Sequence, residues 1–229
     1  KTSQPERSST SSASGERREQ GFDKRESIGW HAFAASVIDN TRDAVAFIPL
    51  GGASDGTNAF TRARFLVPAL QKHQGFAIFA DAADMVCRSD IADLWAMRDY
   101  TKAVQVVKHN YRTKHPQKYV GTPMQAENSD YHRKNWASMM LVNCEHSAWA
   151  DIPALIEAKT IDLLQFLHIA DEDIGELPPE WNWLVDEFGE NENAAIVHWT
   201  AGIPAWPHYS GAPMADEWRR ANSLANHAI

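Results

Sequence analysis

Short apolar segments alternate with segments of helical periodicity, and this alternation limits the folds open to the chain. Apolar segments of strand length lie at 44–50, 76–81, 103–108, 138–143 and 194–199. Apolar side chains are spaced as on one face of a helix in 28–38, 60–72 and 89–97, with Ser27 expected to cap the first of these helices. The pattern predicts an α/β domain with a mostly parallel central sheet and helices on both faces.

Composition restricts the class of protein further. Of 229 residues, 44% are hydrophobic and 23% charged, which is typical of a soluble globular chain. No run of 18 apolar residues predicts a membrane span. The formal net charge of −8 argues against general nucleic-acid binding. Two cysteines are too few for a disulfide scaffold, so we expect a reducing, cytoplasmic compartment.

The polar, Ser-rich residues 1–20 contrast with the remainder of the chain. They carry too few apolar side chains for burial to offset the entropy of ordering them. We therefore expect a flexible tail at 1–20 and a single domain at 21–229.

Two acids follow the apolar segment 76–80, at Asp81 and Asp84. In α/β sheets, ligands bind beyond the carboxyl ends of strands, so chemistry is expected at 81–84 and around His198. A carboxylate pair can hold Mg²⁺ or Mn²⁺ and leave open positions for phosphate oxygens. The same two acids could instead cap a helix or lie in a solvated turn, because the spacing alone is a weak signal.

The sequence around these acids resembles sugar-nucleotide glycosyltransferases of the GT-A fold, in particular family 8 and its uncharacterised bacterial and phage relatives. The resemblance is carried by FTRARFLVPAL at 60–70 and GFAIFADAADMVCRSDIADLW at 75–95. Two residues separate Asp81 from Asp84, where the family's D-x-D has one. The resemblance implies that these acids bind Mn²⁺ or Mg²⁺ and that Arg64 holds a nucleotide diphosphate sugar.

Two further segments extend the resemblance to donor contacts. GFDKRES at 21–27 is similar to the family's first strand-end loop, which implies that Asp23 and Arg25 lie beside the nucleotide. RKNWASMMLVNC at 133–144 is similar to the segment that touches the donor sugar. By position, that segment assigns sugar contact to Trp136, Ala137 and Ser138, although Trp136 could equally belong to the core.

The last two segments imply catalytic and metal-binding groups. ADEDIGELPPEWNWL at 170–184 implies that Asp171 and Glu172 act at the reacting face of the sugar, although neighbouring acids are often a solvated face. IVHWTAGIPAW at 196–206 implies that His198 is a third metal ligand and that Gly202 contacts the donor. The family's phosphate-binding Lys is replaced by Pro204, so a basic residue from elsewhere is expected to substitute.

A basic stretch at 101–118 reverses the overall acidic balance. It contains no acid and five cations: Lys102, Lys108, Arg112, Lys114 and Lys118. Such a local reversal could attract the donor diphosphate or an anionic acceptor, or could be a solvated loop.

The resemblance implies a metal-assisted hexosyltransferase that retains anomeric configuration. Its expected partners are a nucleotide-sugar donor and an unknown acceptor, a saccharide or less readily a modified nucleic-acid base. A catalytically weak nucleotide-sugar or carbohydrate-binding protein on the same scaffold stays open, because fold does not guarantee activity. A metal-dependent hydrolase or nucleotidyltransferase would explain the acids and His198 but not the segment LPPEWN.

Overall fold

A computed structural model describes residues 24–51 and 61–226. The strands are β1 Phe76–Ala80, β2 Met85–Cys87, β3 Val104–Val106, β4 Gln117–Lys118, β5 Ala126–Glu127, β6 Met139–Asn143, β7 Ile174–Glu176, β8 Trp183–Leu184 and β9 Ile196–His198. The α-helices are α1 Ser27–Asn40, α2 Val67–Leu70, α3 Ile91–Ala96, α4 Ile152–Glu157, α5 Thr160–Leu164, α6 Val185–Phe188 and α7 Ala215–Asn226. None of the helices in these ranges has the length and apolar character needed to cross a membrane.

The central sheet has the strand order β1-β6-β3-β7. Strand β6 runs antiparallel to both β1 and β3, and only β3 and β7 are parallel. The prediction of a mostly parallel sheet is therefore wrong for the described strands. Its physical reason is that hydrophobic periodicity reports which segments are buried and carries no information on their direction.

Alternate residues of β6 pack on opposite faces of this sheet, as the two-residue period of a strand requires. Met140 and Val142 belong to a core shared with α4 and α5, whereas Met139 and Leu141 pack with α1 and α3. All four side chains are at most 1% exposed. The structure confirms helices on both faces of a central sheet.

The apolar segment 44–50, predicted as a strand, has no regular structure. It lies beside an apolar cavity of about 530 Å³ that is also lined by α1 and β1. Ile48 is 62% exposed. Strand β1 is the edge strand of the central sheet and pairs only with β6 among the described strands, so the segment 44–50 does not add a strand to its open edge.

A second sheet, in the order β2-β9-β8, places the residues that matter for function. Its register sets Met85 opposite His198. One residue beyond this pair, the Trp199 N–H donates to the Asp84 carbonyl at 2.9 Å and extends the contact between the two strands. The end of β9 therefore lies against the turn between β1 and β2.

Helix α1 begins at Ser27, with Glu26 in the N-cap position. The predicted cap at Ser27 is wrong by one residue, and Glu26 makes no side-chain capping bond although it is fully buried. Helix α3 has a regular cap, since Asp90 accepts from the Ala92 N–H at 3.0 Å. Hydrogen bonding from Thr41 holds the pKa of Asp90 at about 2.

Helix α1 approaches the turn Ala82–Asp84 so closely that only glycine fits between them. A Cβ atom on Gly29 would lie 1.7 Å from the Ala83 carbonyl oxygen, which is backbone and cannot rotate away. The absence of a side chain at Gly29 therefore sets the distance between the helix and the acidic turn.

Gly29→Ala is expected to lower the free energy of unfolding by about 1–3 kcal/mol, because overpacking at a rigid contact forces backbone shifts. Chemical denaturation measures the change. Gly211→Ala is the matched control, since a Cβ there meets nothing within 4 Å. Equal stability of the two variants would contradict the close packing.

Candidate active site

Asp84 and His198 form a buried pair at the junction of the two sheets. His198 Nε2 lies 3.3 Å from Asp84 Oδ1, and the side chains are 3% and 9% exposed. Asp84 immediately precedes β2 and His198 ends β9, so the pairing of these two strands brings them together. The structure thus joins two predicted metal ligands that lie more than a hundred positions apart in the sequence.

Asn182 fixes the orientation of the His198 ring. Its Nδ2 donates to Ser138 Oγ at 2.9 Å and to the Asn135 carbonyl at 3.3 Å. Its Oδ1 is therefore the acceptor that faces His198 Nδ1 at 2.9 Å, so Nδ1 carries a proton. In the neutral ring this tautomer leaves the lone pair on Nε2, directed at Asp84.

Arg64 holds the first acid, Asp81. The guanidinium lies 2.8 Å from one carboxylate oxygen and donates to the other at 3.1 Å. The same group donates to the carbonyls of Ala137 at 2.6 Å and Thr61 at 2.9 Å. Because Arg64 is only 5% exposed, it connects the acidic turn rigidly to the start of β6.

The charges at this junction act on one another. Burial raises the pKa of Asp81 to about 6 against the lowering effect of Arg64, and Asp84 raises it further. Burial by itself lowers the pKa of His198, but Asp84 and Asp81 outweigh it, so the net shift is upward. The two acids therefore create a site that favours positive charge.

The carboxylate oxygens of Asp81 and Asp84 and the imidazole nitrogen of His198 are ligand types that suit a hard divalent cation. In this structure, however, the three side chains are not grouped closely enough to hold one. Asp81 Oδ1 and Asp84 Oδ1 are buried without a well-aligned hydrogen bond, and each lies beside a basic group, Arg64 at 2.8 Å and His198 at 3.3 Å. Two carboxylates and an imidazole suit Mn²⁺. Within residues 24–51 and 61–226, however, no three His, Cys, Asp or Glu side chains are grouped closely enough to hold a metal, and Asp81 points to Arg64.

The predicted sugar-contacting residues occupy structural positions. Ala137 and Ser138 are each 2% exposed, and their polar groups are bonded to Arg64 and Asn182. Trp136 is half-buried and donates from Nε1 to the His109 carbonyl at 2.8 Å. Of the three, only the Trp136 ring keeps an accessible surface, with the Arg133 guanidinium 5.1 Å from its centre.

Asp171 and Glu172 lie directly before β7, and their catalytic role stays a prediction. They begin a short turn before β7, and the Glu172 carbonyl accepts from Lys102 Nζ at 2.6 Å. Strand β7 pairs in parallel with β3, and β3 pairs antiparallel with β6. The first residue of β7, Ile174, is therefore level with Val142 of β6, at the end of that strand remote from Ser138. Asp171 is exposed and pairs with Arg133, and no contact among the described residues links either acid to Asp84.

The remaining predicted donor contacts are placed as follows. Asp23 lies outside the described residues, and Arg25 is exposed just before α1. Gly202 is buried in the segment after β9, where a Cβ would lie 2.3 Å from the Tyr209 ring. Gly202 therefore permits the close packing of this segment on Tyr209.

Two functional positions escaped the sequence analysis. Asn182 is fully buried and orients His198. Glu187 is 2% exposed and accepts from Thr113 Oγ1 at 2.5 Å and from the Lys114 N–H at 2.9 Å, so it anchors the basic stretch. A polar residue inside an otherwise apolar segment, WNWLVDEF, was the available signal for both.

No family model matches the sequence. It is 30% identical over 219 residues to Protein CDI of Arabidopsis thaliana, and the match covers 86% of this chain and 82% of that protein. The chain belongs to the Protein CDI family. Family 8 membership remains a prediction from the resemblance.

Solved structures establish the fold of this Protein CDI relative. The bifunctional glycosyltransferase WbbM matches with a TM-score of 0.61 at 14% identity, over 89% of this chain and 48% of WbbM. An active-site mutant of LgtC matches with a TM-score of 0.58 at 11% identity, over 88% of this chain and 93% of LgtC. Apo GlyE of Streptococcus pneumoniae TIGR4 matches with a TM-score of 0.52 at 12% identity, over 87% of this chain and 52% of GlyE. The chain has the GT-A fold and spans about half the length of WbbM and GlyE.

Arg64→Met is expected to destabilise the protein by on the order of 3 kcal/mol, because it leaves Asp81 buried without its counter-charge. Adding Asp81→Leu should recover part of the loss. Denaturation of the single and double variants completes the cycle.

Arg42→Met is the comparison for a surface pair. Arg42 is 88% exposed and bonds to Asp90, so its loss should change stability little. Strict additivity of the Arg64 and Asp81 substitutions would show that the buried ion pair is not coupled.

Proposed function

We propose that this protein is a metal-assisted glycosyltransferase that moves a hexosyl group from a nucleotide diphosphate sugar to an acceptor. The observation that carries the proposal is the buried Asp84–His198 pair beside the Asp81–Arg64 pair, at the carboxyl end of β1 in a GT-A fold. Crevices at the carboxyl ends of strands are where ligands bind in α/β sheets. The structural neighbours WbbM and GlyE are glycosyltransferases, which supports the same class of reaction.

The reaction breaks the bond between the anomeric carbon and a diphosphate oxygen, which keeps the electron pair. The acceptor hydroxyl oxygen bonds to that carbon and releases its proton. Negative charge grows on the leaving diphosphate, so catalysis requires positive charge placed there in advance. Asp81, Asp84 and His198 would hold Mn²⁺ or Mg²⁺, which when bound supplies that charge as a Lewis acid. Retention of configuration remains the expectation from the resemblance.

The chain's own residues prepare this site. Asn182 keeps His198 Nε2 directed at Asp84, so the ligand atom needs no reorientation. Arg64 is positioned by two backbone carbonyls and by Asp81, and it contributes a fixed cation. Fixed charges in a buried site stabilise a transition state without the cost of solvent reorganisation.

A binding protein on the same scaffold is the second candidate. The observation that favours it is the ion pair between Asp81 and Arg64, which occupies a predicted metal ligand. Such a protein would bind nucleotide sugars without Mn²⁺ and would not turn them over. Calorimetry with and without Mn²⁺, together with nucleotide release, separates the two functions.

Both cysteines are excluded from the proposed chemistry. Cys87 and Cys144 are free and buried. Burial raises the pKa of each thiol to about 11, which makes both poor nucleophiles. Free thiols support the inference that the protein works in a reducing, cytoplasmic compartment.

Asp84→Asn is expected to lower nucleotide release from a panel of nucleotide sugars with Mn²⁺ by about 10²–10³-fold, as for loss of one electrostatic stabiliser. Mass spectrometry of the released nucleotide measures the rate with water or added saccharides as acceptor. Asp93→Asn removes an equal charge from the exposed surface of α3 and should leave the rate unchanged. Equal rates for wild type and Asp84→Asn would exclude the metal-assisted mechanism.

A further inference from the structure

Lys108 and Lys118 are half-buried lysines of the basic stretch whose ammonium groups contact an aromatic ring rather than an oxygen. Lys102, Lys114 and Lys134 each donate Nζ to an oxygen, of Glu172, Glu187 and Asn128 respectively. Lys118 is half-buried, and within residues 24–51 and 61–226 its Nζ makes no hydrogen bond or ion pair. Its ammonium lies 5.2 Å from the ring centre of Tyr119. A partly desolvated cation without an acceptor is available to an anionic ligand.

The backbone around Lys118 is fixed against the segment that follows β9. Tyr119 has a φ of 57°, which is unfavourable for an aromatic residue. It is held there because its N–H donates to the Ala201 carbonyl at 2.7 Å and its buried ring packs edge-on against Trp206. The next N–H, of Val120, donates to the Tyr209 hydroxyl at 2.9 Å. A strained residue held by so many contacts indicates a functional constraint on its neighbours.

Lys118 lies within electrostatic range of the predicted metal ligands Asp84 and Asp81. Burial lowers the pKa of Lys118, while Asp84 and Asp81 act in the opposite direction, followed by Glu26. The ammonium therefore interacts with both acids through space without bonding to either. An anion held at Asp81 and Asp84 through a metal ion would therefore also interact electrostatically with the Lys118 ammonium.

The segment after β9 supplies no cation of its own. Residues 199–206 read WTAGIPAW and contain neither Lys nor Arg. The nucleoside diphosphate that leaves carries more negative charge than one divalent ion neutralises, so a further cation beside it would stabilise the leaving group. Among the cations of the basic stretch, Lys118 is the one whose neighbour Tyr119 is hydrogen-bonded to this segment.

We propose that Lys118 binds a phosphate oxygen of the donor diphosphate and stabilises it as it leaves. The inference rests on the proposed function and adds no covalent step, because Lys118 donates hydrogen bonds and keeps its proton. It makes Lys118 a substrate-binding residue contributed by the basic stretch.

The test compares nucleoside diphosphates with the matching monophosphates, for the four common bases, by calorimetry on the full chain with Mn²⁺. Wild type should prefer the diphosphate of its base. Lys118→Met should reduce that preference by about tenfold or more, the effect of losing one charge-assisted hydrogen bond, and leave the monophosphate affinity unchanged. Lys118→Arg should restore most of the preference. A purely structural role would weaken both nucleotides alike.

Lys102→Met is the control, because Lys102 bonds to Glu172 at the opposite end of the sheet. Thermal unfolding verifies that each variant is folded, and Lys118→Gln, which keeps the polar tip, replaces Lys118→Met if the latter is unstable. If Lys118→Met and Lys102→Met both bind the diphosphate with the same preference over the monophosphate as wild type, the role of Lys118 is overturned and the proposed function stands. Absence of nucleotide binding by wild type would overturn both.

Discussion

The pairing of β2 with β9 is the interaction on which the site depends. Side chains alternate between the two faces of a strand, so a slip of one residue in this short ladder would turn His198 away from Asp84. Backbone hydrogen bonding on either side of the pair prevents this slip. The Arg88 N–H donates to the Ala195 carbonyl at 2.7 Å, and the Trp199 N–H donates to the Asp84 carbonyl at 2.9 Å.

Placing acids at this junction is costly unless cations accompany them. Arg64 supplies such a cation beside Asp81, and Asp84 and Asp81 raise the pKa of His198, while backbone carbonyls hold Arg64 and Asn182 holds His198. The cluster connects three parts of the fold, namely the helical turn before α2, the turn between β1 and β2, and the end of β9. The same charges that stabilise this packing would also prepare the site for a metal ion and a diphosphate, so stability and the proposed chemistry share the same residues.

Much of the fold could be predicted from hydrophobic pattern. The segment 76–81 is β1, 138–143 contains β6, and 194–199 contains β9, because each is an apolar run bounded by polar residues. Strand direction could not be predicted, since it depends on which edges meet. The segment 44–50 failed for a related reason, as its apolar character does not show whether a partner strand is available.

The sequence by itself determined the α/β class, the positions of the buried strands, and the identity of four residues that converge: Arg64, Asp81, Asp84 and His198. Local patterns and motif resemblance contain that information because burial and side-chain chemistry are properties of single segments. Only the tertiary structure decided that Asn182 orients His198, that Arg64 already pairs with Asp81, and that the backbone beside Lys118 is bonded to the segment after β9. These relations depend on distances between segments far apart in the chain, and such distances arise only when the strands pair and the cores pack.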